Sequence, residues 1–496
     1  MSDGWLPSGA ANEGQPQDAA SWMGVGPLHS IDEVAEGNEV MEKRERQEGI
    51  TPRQAKGQTQ RWQPLQPNLE RVNEAARHSG QTRFTALLHH VDVAALERAF
   101  RRPRRAASPG IDRVKVEDYE RNLEVNVQRL HARIHSGQYW PKPVRRTYIP
   151  KADGSLRPLG IPTLEDKIVQ GAVAEVLNAV YEADFLGFSH GFRPERSPHS
   201  ALAALDKALM TQRVNFVLDV DIRTFFDSVD HGWLMRMLAH RIADPRVLRL
   251  IKRWLEAGVL ESGQWRPVES GTPQGSGVSP ILANVFLHYV VDLWVHQWRR
   301  RRASGTVIVC RYADDMVLGC QFEADGKQLL VDLKDRLLQF GLSLHEGKTR
   351  LIEFGRSAAH ARTAAGQRRP ETFDFLGFTH YCAKTRKNKF MVKRKTQAKR
   401  LARKLKAIRE EMKHRMHAPL REQHRWLRQV LNGHYQYFGV IFNYRSLSVF
   451  KACVVKDWRK VLGKRSQKGC MNWANYRRLL IAFPLPEPVI HQAWRQ

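Results

Sequence analysis

Apolar positions along the chain change period repeatedly, and each change marks an expected element. From about residue 67 to 105 the spacing is helical, through Phe84, Leu87, Leu88, Val91, Leu96 and Phe100. Tyr148–Pro162 places apolar arms on both sides of Asp153-Gly154, the signal of a β-hairpin. A helical period returns over residues 163–182, with Ile168, Ala172, Val173, Val176, Leu177 and Val180. Further helices are expected over 197–211, 231–258, 281–299 and 325–340. β-branched and apolar runs between them read as strands: one begins at Val217, two more flank Tyr312-Ala313-Asp314-Asp315, and Phe373–Phe378 resumes the sheet. Gly- and Pro-punctuated stretches at Phe188–Pro194 and Gly271–Pro280 read as loops. Residues 355–370 are expected to form a flexible surface loop. Residues 384–415 repeat Leu401, Leu405, Ile408 and Met412 on one helical face, and a second apolar helix comes after Pro419.

The charge narrows the choice of partner. The chain has 496 residues with 80 Lys and Arg against 51 Asp and Glu, a formal net charge of +29. Residues 1–50 run the other way, with ten acidic and three basic residues. A basic excess on this scale points to a polyanion, most simply nucleic acid. Residues 384–415 alone hold 15 Lys or Arg, so the basic amphipathic helix expected there is read as a clamp on phosphates. Five cysteines without CxxC spacing suit neither a disulfide framework nor a structural zinc site. No apolar run is long enough to span a bilayer and no signal peptide is visible, so a soluble intracellular protein without a membrane partner is expected. Residues 1–62, poor in apolar periodicity, are expected to be a disordered leader.

Candidate chemistry starts at the strand–turn–strand around Asp314 and Asp315. Crowded carboxylates repel one another unless a cation stands near them. Hard oxygen donors suit Mg²⁺, which also binds substrate phosphates. A second apolar run reaches Asp219 and Asp221, so two strands of one sheet could bring Asp221 and Asp314 together. Such a site fits two-metal phosphoryl chemistry, with ions about 3.5–4 Å apart. Lys151 and Arg157 flank the Asp153-Gly154 turn and could converge on one anion, such as a triphosphate.

In order along the chain, seven blocks resemble the group II intron-encoded reverse transcriptase/maturases. They are IPKADGSLRPLGIPTLEDKIVQ (149–170), SHGFRPERSPHSAL (189–202), DIRTFFDSVDH (221–231), GTPQGSGVSP (271–280), RYADD (311–315), GLSLHEGKTRLIEF (341–354) and FDFLGF (373–378). LNGHYQYFGV (431–440) and KRSQKG (464–469) resemble the maturase region. The resemblance implies an α+β right-hand polymerase with fingers, an antiparallel palm sheet and a helical thumb. It divides the chain into a leader (1–62), fingers and palm (63–383) and a basic thumb/maturase domain with a short DNA-binding tail (384–496).

By the same resemblance, Asp221, Asp314 and Asp315 are the catalytic carboxylates. Asp221 and Asp314 would hold two Mg²⁺ ions, replaceable by Mn²⁺, with Asp315 in support and the Ile222 carbonyl completing one shell. Asp219 and Asp227 match only the flanks of the motif. Lys151 and Arg157 would hold the dNTP triphosphate, Phe226 screen the sugar 2′ position, Gln274 line the nucleotide pocket and Lys348 lie behind the palm near the triphosphate. Arg193, Lys393, Arg394, Lys395, Lys399 and Arg400 would contact nucleic acid. The implied partners are intron RNA, an RNA template with DNA primer, and target DNA, in a bacterial-type cytoplasm.

Two departures stand out. Gly275-Ser276-Gly277-Val278 replaces the family's usual Gly-Gly-Val-Ile, and no His/Cys cluster for a metal-dependent endonuclease comes after the thumb. The function implied is an RNA-directed DNA polymerase that also helps its intron RNA splice and move. Two alternatives share these motifs: an RNA-binding splicing factor with a vestigial polymerase, and a domesticated reverse transcriptase in DNA repair or phage defence.

Overall fold

A computed structural model describes residues 66–491, apart from 104, 106, 151–155, 273–274, 368 and 466–470. The expected leader, Lys151 and Gln274 therefore lie outside the described residues. The strands are β1 (Val144–Pro150), β2 (Leu156–Ile161), β3 (Phe216–Asp221), β4 (Val259–Glu261), β5 (Gln264–Arg266), β6 (Val307–Tyr312), β7 (Asp315–Cys320), β8 (Arg350–Glu353), β9 (Phe373–Phe375), β10 (Phe378–Lys384) and β11 (Phe390–Thr396). They form three sheets, in the orders β2-β1-β4-β5, β6-β7-β3-β8 and β11-β10-β9. With helices interspersed among largely antiparallel strands, the architecture is α+β.

The second sheet carries the acidic strand ends. β3 is its centre and pairs antiparallel with both β7 and β8. The faces of β3 and β7 bury Val217, Leu218, Val220, Met316, Val317 and Leu318 almost completely. Burial on both faces explains why these runs are continuously apolar instead of alternating. Helix Pro198–Thr211 packs Ala201, Leu202 and Leu205 against the sheet and begins with a Ser197–Ser200 capping box.

Four expectations are corrected. Residues 84–91 leave the helical pattern: Phe84 bridges to Ile242, and the buried Asp244 carboxylate takes the Leu87 and Leu88 amides, so only a 3₁₀ turn forms at Leu88–His90. Residues 231–258 form two helices, His231–Arg241 and Pro245–Glu256, because Asp244 caps the second and proline takes its first position. Arg356–Ala364, expected as a loop, is a helix with no buried residue, favoured by its alanines and by an Arg362–Glu353 ion pair. The basic stretch is not helical from its start. β11 occupies Phe390–Thr396 before helix Ala398–His414 begins.

That strand matters for the expected boundary at 383/384. β10 ends at Lys384 and its full-length partner β11 lies beyond it, so one sheet straddles the boundary. One apolar core likewise runs from Ala201 and Val317 through Phe373 and Phe378 to Leu427, Leu431 and Trp458. Among the described residues no helix is long and apolar enough to cross a membrane.

Candidate metal and nucleotide site

β3 ends at Asp221, which stands opposite Asp315 at the start of β7. β7 is joined to β6 by a tight turn of Ala313 and Asp314, with Ala313 at φ +56°. A non-glycine residue in the left-handed region is strained, and such strain persists where the surroundings enforce it. The turn thus carries Asp314 at its tip, next to the Asp221–Asp315 cross-strand pair. A segment beyond β3 fixes its end: His345 N donates to the Asp221 carbonyl at 2.8 Å and Arg223 N to the Ser343 carbonyl at 2.8 Å. Because alternate backbone groups of a strand point to opposite sides, the Ile222 carbonyl is directed away from this segment, towards β7.

The electrostatics arise from the crowding. Dehydration and the Asp221 charge raise the Asp314 carboxyl above its ordinary range, opposed by Arg157 and Arg311. Dehydration, then Asp314 and Asp221, push Asp315 up to about 7, although the residue still reaches solvent; Lys348 and Arg400 oppose the rise. Asp219 is also pushed to about 7, first by burial, with Arg350 3.8 Å away opposing. Lys348 Nζ lies 2.5 Å from Asp221 Oδ2.

Among the described residues no three acidic, His or Cys side chains close into a cage around one point. An open set of one or two carboxylates is what a Mg²⁺-like ion takes when water and substrate phosphates fill the other positions. The donor chemistry therefore fits a hard divalent cation.

Of the expected nucleotide contacts, Arg157 lies on β2, exposed and near enough to Asp314 to act on its charge. Phe226 sits half-buried on the short helix Phe225–Ser228, edge-on to the buried Phe225 at 5.3 Å. Its carbonyl takes the Thr272 amide at 2.7 Å. Gly271, at φ +89°, allows that approach: a Cβ there would lie 2.9 Å from the Phe226 carbonyl oxygen. The Gly-rich loop therefore closes on Phe226.

Two of the expected nucleic-acid contacts are instead interior. Arg193 is 3% exposed, paired with Glu182 at 2.6 Å and donating to the Leu186 and Ser189 carbonyls. Arg394 is buried on β11 and donates to the Leu202 carbonyl at 3.2 Å. Lys393 and Lys395 lie on the same strand, with ammonium groups 5.5 Å and 5.7 Å from the Phe442 and Tyr381 ring centres. Lys399 and Arg400 are exposed in the first turn of helix Ala398–His414. The Arg400 guanidinium lies against Gly377, which stands at φ +83°.

Sequence alone assigns no role to the group that holds the turn from behind. Arg311, 1% exposed, uses all five N–H donors: Nε and Nη2 on the Asp292 carboxylate (2.6 and 2.5 Å), Nη1 on Asn284 Oδ1 (3.2 Å) and the Ala313 carbonyl (3.0 Å), and Nη2 on Ser189 Oγ (2.6 Å). Segment 188–190 runs parallel to β6 at this point, exchanging two backbone hydrogen bonds with Arg311. Only the arginine before the turn and the glycine of Gly191-Phe192 could have hinted at it.

A cross-strand carboxylate pair, an acidic turn and nearby cations stand together at this end of the sheet. Residues 149–380 match the family model described as reverse transcriptase (RNA-dependent DNA polymerase). A domain of this family works with divalent metal. Its relatives give the type. The chain is 42% identical over 166 residues to the group II intron-encoded protein LtrA of Lactococcus lactis, covering 33% of this chain and 27% of that protein. It is 37% identical over 242 residues to protein YkfC of Escherichia coli K12 (43% and 63%), and 25% identical over 206 residues to nuclear intron maturase 3 of Arabidopsis thaliana (36% and 27%). The chain is thus similar to group II intron-type reverse transcriptases and maturases, and it spans less than two thirds of each of these proteins.

Proposed function

We propose that the protein is an RNA-directed DNA polymerase that also binds intron RNA as a maturase, assisting group II intron splicing and mobility. The observation that carries this is the Asp221–Asp315 register beside the Asp314 turn. In this reading β6-β7-β3-β8 is the palm and β1-β2 belongs to the fingers. The helices Ala398–His414, Leu420–Phe438 and Tyr444–Leu462 form the thumb. The protein acts in the cytoplasm, with intron RNA, template RNA with DNA primer, target DNA and dNTPs as partners.

Asp221 and Asp314 hold two Mg²⁺ ions, or Mn²⁺ in their place, with Asp315 and the Ile222 carbonyl supporting. When bound, the ions supply charge stabilisation for the primer 3′-hydroxyl and the departing pyrophosphate. Arg157 and Lys151 grip the triphosphate in line with the hydroxyl, which converts an encounter into an oriented reaction. Phe226 screens the sugar 2′ position, and Gln274 and Lys348 complete the nucleotide contacts. Since base pairing reads the template, the protein contacts the duplex through its backbone and shape.

The test is primer extension on an RNA template with dNTPs and Mg²⁺, wild type beside Asp314→Ala. Extension by wild type alone supports the reading. Extension by neither protein, with intron RNA still bound, replaces it with an RNA-binding splicing factor.

A further inference from the structure

We propose that Arg311, Asp292, Asn284 and Gly191 are positioning residues that lock the Ala313-Asp314 turn in its metal-binding conformation; this rests on the function proposed above.

The turn is held from both sides of its backbone. On one side Arg311 Nη1 donates to the Ala313 carbonyl at 3.0 Å. On the other, Gly191 lies so close that a Cβ built on it would come within 2.2 Å of Ala313 N. Any side chain at 191 must therefore displace the turn. Asn284 links the two contacts: its Nδ2 donates to the Gly191 carbonyl at 2.6 Å while its Oδ1 accepts from Arg311 Nη1. Ala313 is thus confined at its amide and at its carbonyl, which explains how a non-glycine residue stays at positive φ.

Placing Asp292 beneath Arg311 has required a distortion. Helix Ser279–Leu287 continues into Leu293–Arg301 through a π turn at His288–Asp292. One residue inserted into the helical repeat rotates the succeeding turns by about 100°. Such turns are uncommon in ordinary helices, and this one ends at the residue whose carboxylate takes two of the Arg311 donors. Asp292 is 0% exposed. A buried ion pair is a poor source of stability compared with apolar packing, whereas a fully bonded guanidinium fixes geometry tightly. These features together specify one position for the Asp314 backbone relative to Asp221.

The experiment compares full-length wild type, Gly191→Ala, Asn284→Asp and Asp314→Ala. Asn284→Asp keeps the acceptor for Arg311 and removes the donor to Gly191, at constant volume, so it remains informative if Gly191→Ala misfolds. Mn²⁺ affinity is read by electron paramagnetic resonance, thermal stability by melting, and kcat, dNTP KM and the Mg²⁺ midpoint by primer extension. The expected result is Mn²⁺ affinity about 10-fold or more weaker in both positioning variants, a raised Mg²⁺ midpoint and kcat lower by about 100-fold, with dNTP KM near wild type and a fall in melting temperature that leaves the protein folded at the assay temperature. Wild-type Mn²⁺ affinity in a folded Asn284→Asp protein overturns the proposal. So does a loss of rate that tracks melting temperature while the metal midpoint stays put. If wild type fails to extend primers, the polymerase reading falls, and the Mn²⁺ comparison still decides this inference.

Discussion

Lys348 Nζ stands 2.5 Å from Asp221 Oδ2, so the carboxylate at the end of β3 is neutralised by a side chain before any metal arrives. Lys348 is 59% exposed, and an ion pair this open is worth no more than about 1 kcal/mol. In the proposed function it would release Asp221 to a cation and turn to a substrate phosphate. Lys348→Met should therefore lower the Mg²⁺ midpoint by up to about 5-fold, the equivalent of that energy, and raise dNTP KM. A higher Mg²⁺ requirement would mean that Lys348 assists the metal instead of competing with it.

Asp314→Ala should reduce primer extension by at least about 100-fold, since even groups behind a metal ligand cost 10–100-fold when removed. Intron RNA affinity should stay within a few fold, because the basic surface is elsewhere. Filter binding beside single-turnover extension measures both. Equal loss of both would make the hairpin a structural element.

Phe226 is half-buried, while its neighbour Phe225 fills the core. Phe226→Val should leave folding and dNTP incorporation within a few fold of wild type and raise ribonucleotide incorporation by about 10–100-fold, the range available to a pocket that loses bulk. Competition between dNTPs and NTPs on one template reads the ratio. An unchanged ratio removes Phe226 from the sugar screen.

Charge on helix Ala398–His414 can be separated from charge on β11. Lys399→Gln with Arg403→Gln, both on exposed positions, should weaken RNA binding and reduce the salt slope by about 0.7–0.9 for each phosphate no longer neutralised. Arg394→Gln should behave differently. It removes a buried hydrogen bond to the Leu202 carbonyl and the cation that faces the buried Asp206, at a cost of about 1–3 kcal/mol, and lowers the melting temperature first. If the salt slope responds only to Arg394, the helix is not the clamp.

Four buried histidines set an acid limit. His190, His288, His380 and His434 are each depressed to about 3, first by burial, with Arg394 adding to the effect at His380. A histidine that binds fewer protons folded than unfolded stabilises the fold above its unfolded pKa, and that stability is lost as pH falls from about 6.5 towards about 3. His380 lies stacked on Phe373 at 4.8 Å with neither ring nitrogen bonded. His380→Phe should flatten the decline of melting temperature between about pH 6.5 and 4. A parallel decline in both proteins would locate acid sensitivity elsewhere.

What the sequence by itself determined was local. Apolar runs around Asp314 and the helical periods after Thr163 and over 197–211 each depend on a few neighbouring residues, and the strands and helices formed there. Ordered motifs also carried the resemblance to group II intron reverse transcriptases, over a stretch that the family match shares. The tertiary structure alone decided what a charged residue is for. Arg193, Arg311 and Arg394 look like any other arginine in a basic chain. Yet each is buried on carbonyl or carboxylate oxygens, among them those of Glu182, Asp292 and the Leu202 carbonyl, supplied by other segments. Lys399 and Arg400 remain open to solvent. Burial and hydrogen-bond partners are properties of distant segments meeting. They also divided the basic stretch into a strand and a helix: β10 offers β11 a full ladder of backbone partners, and the helical period of Leu401, Leu405, Ile408 and Met412 begins only beyond it.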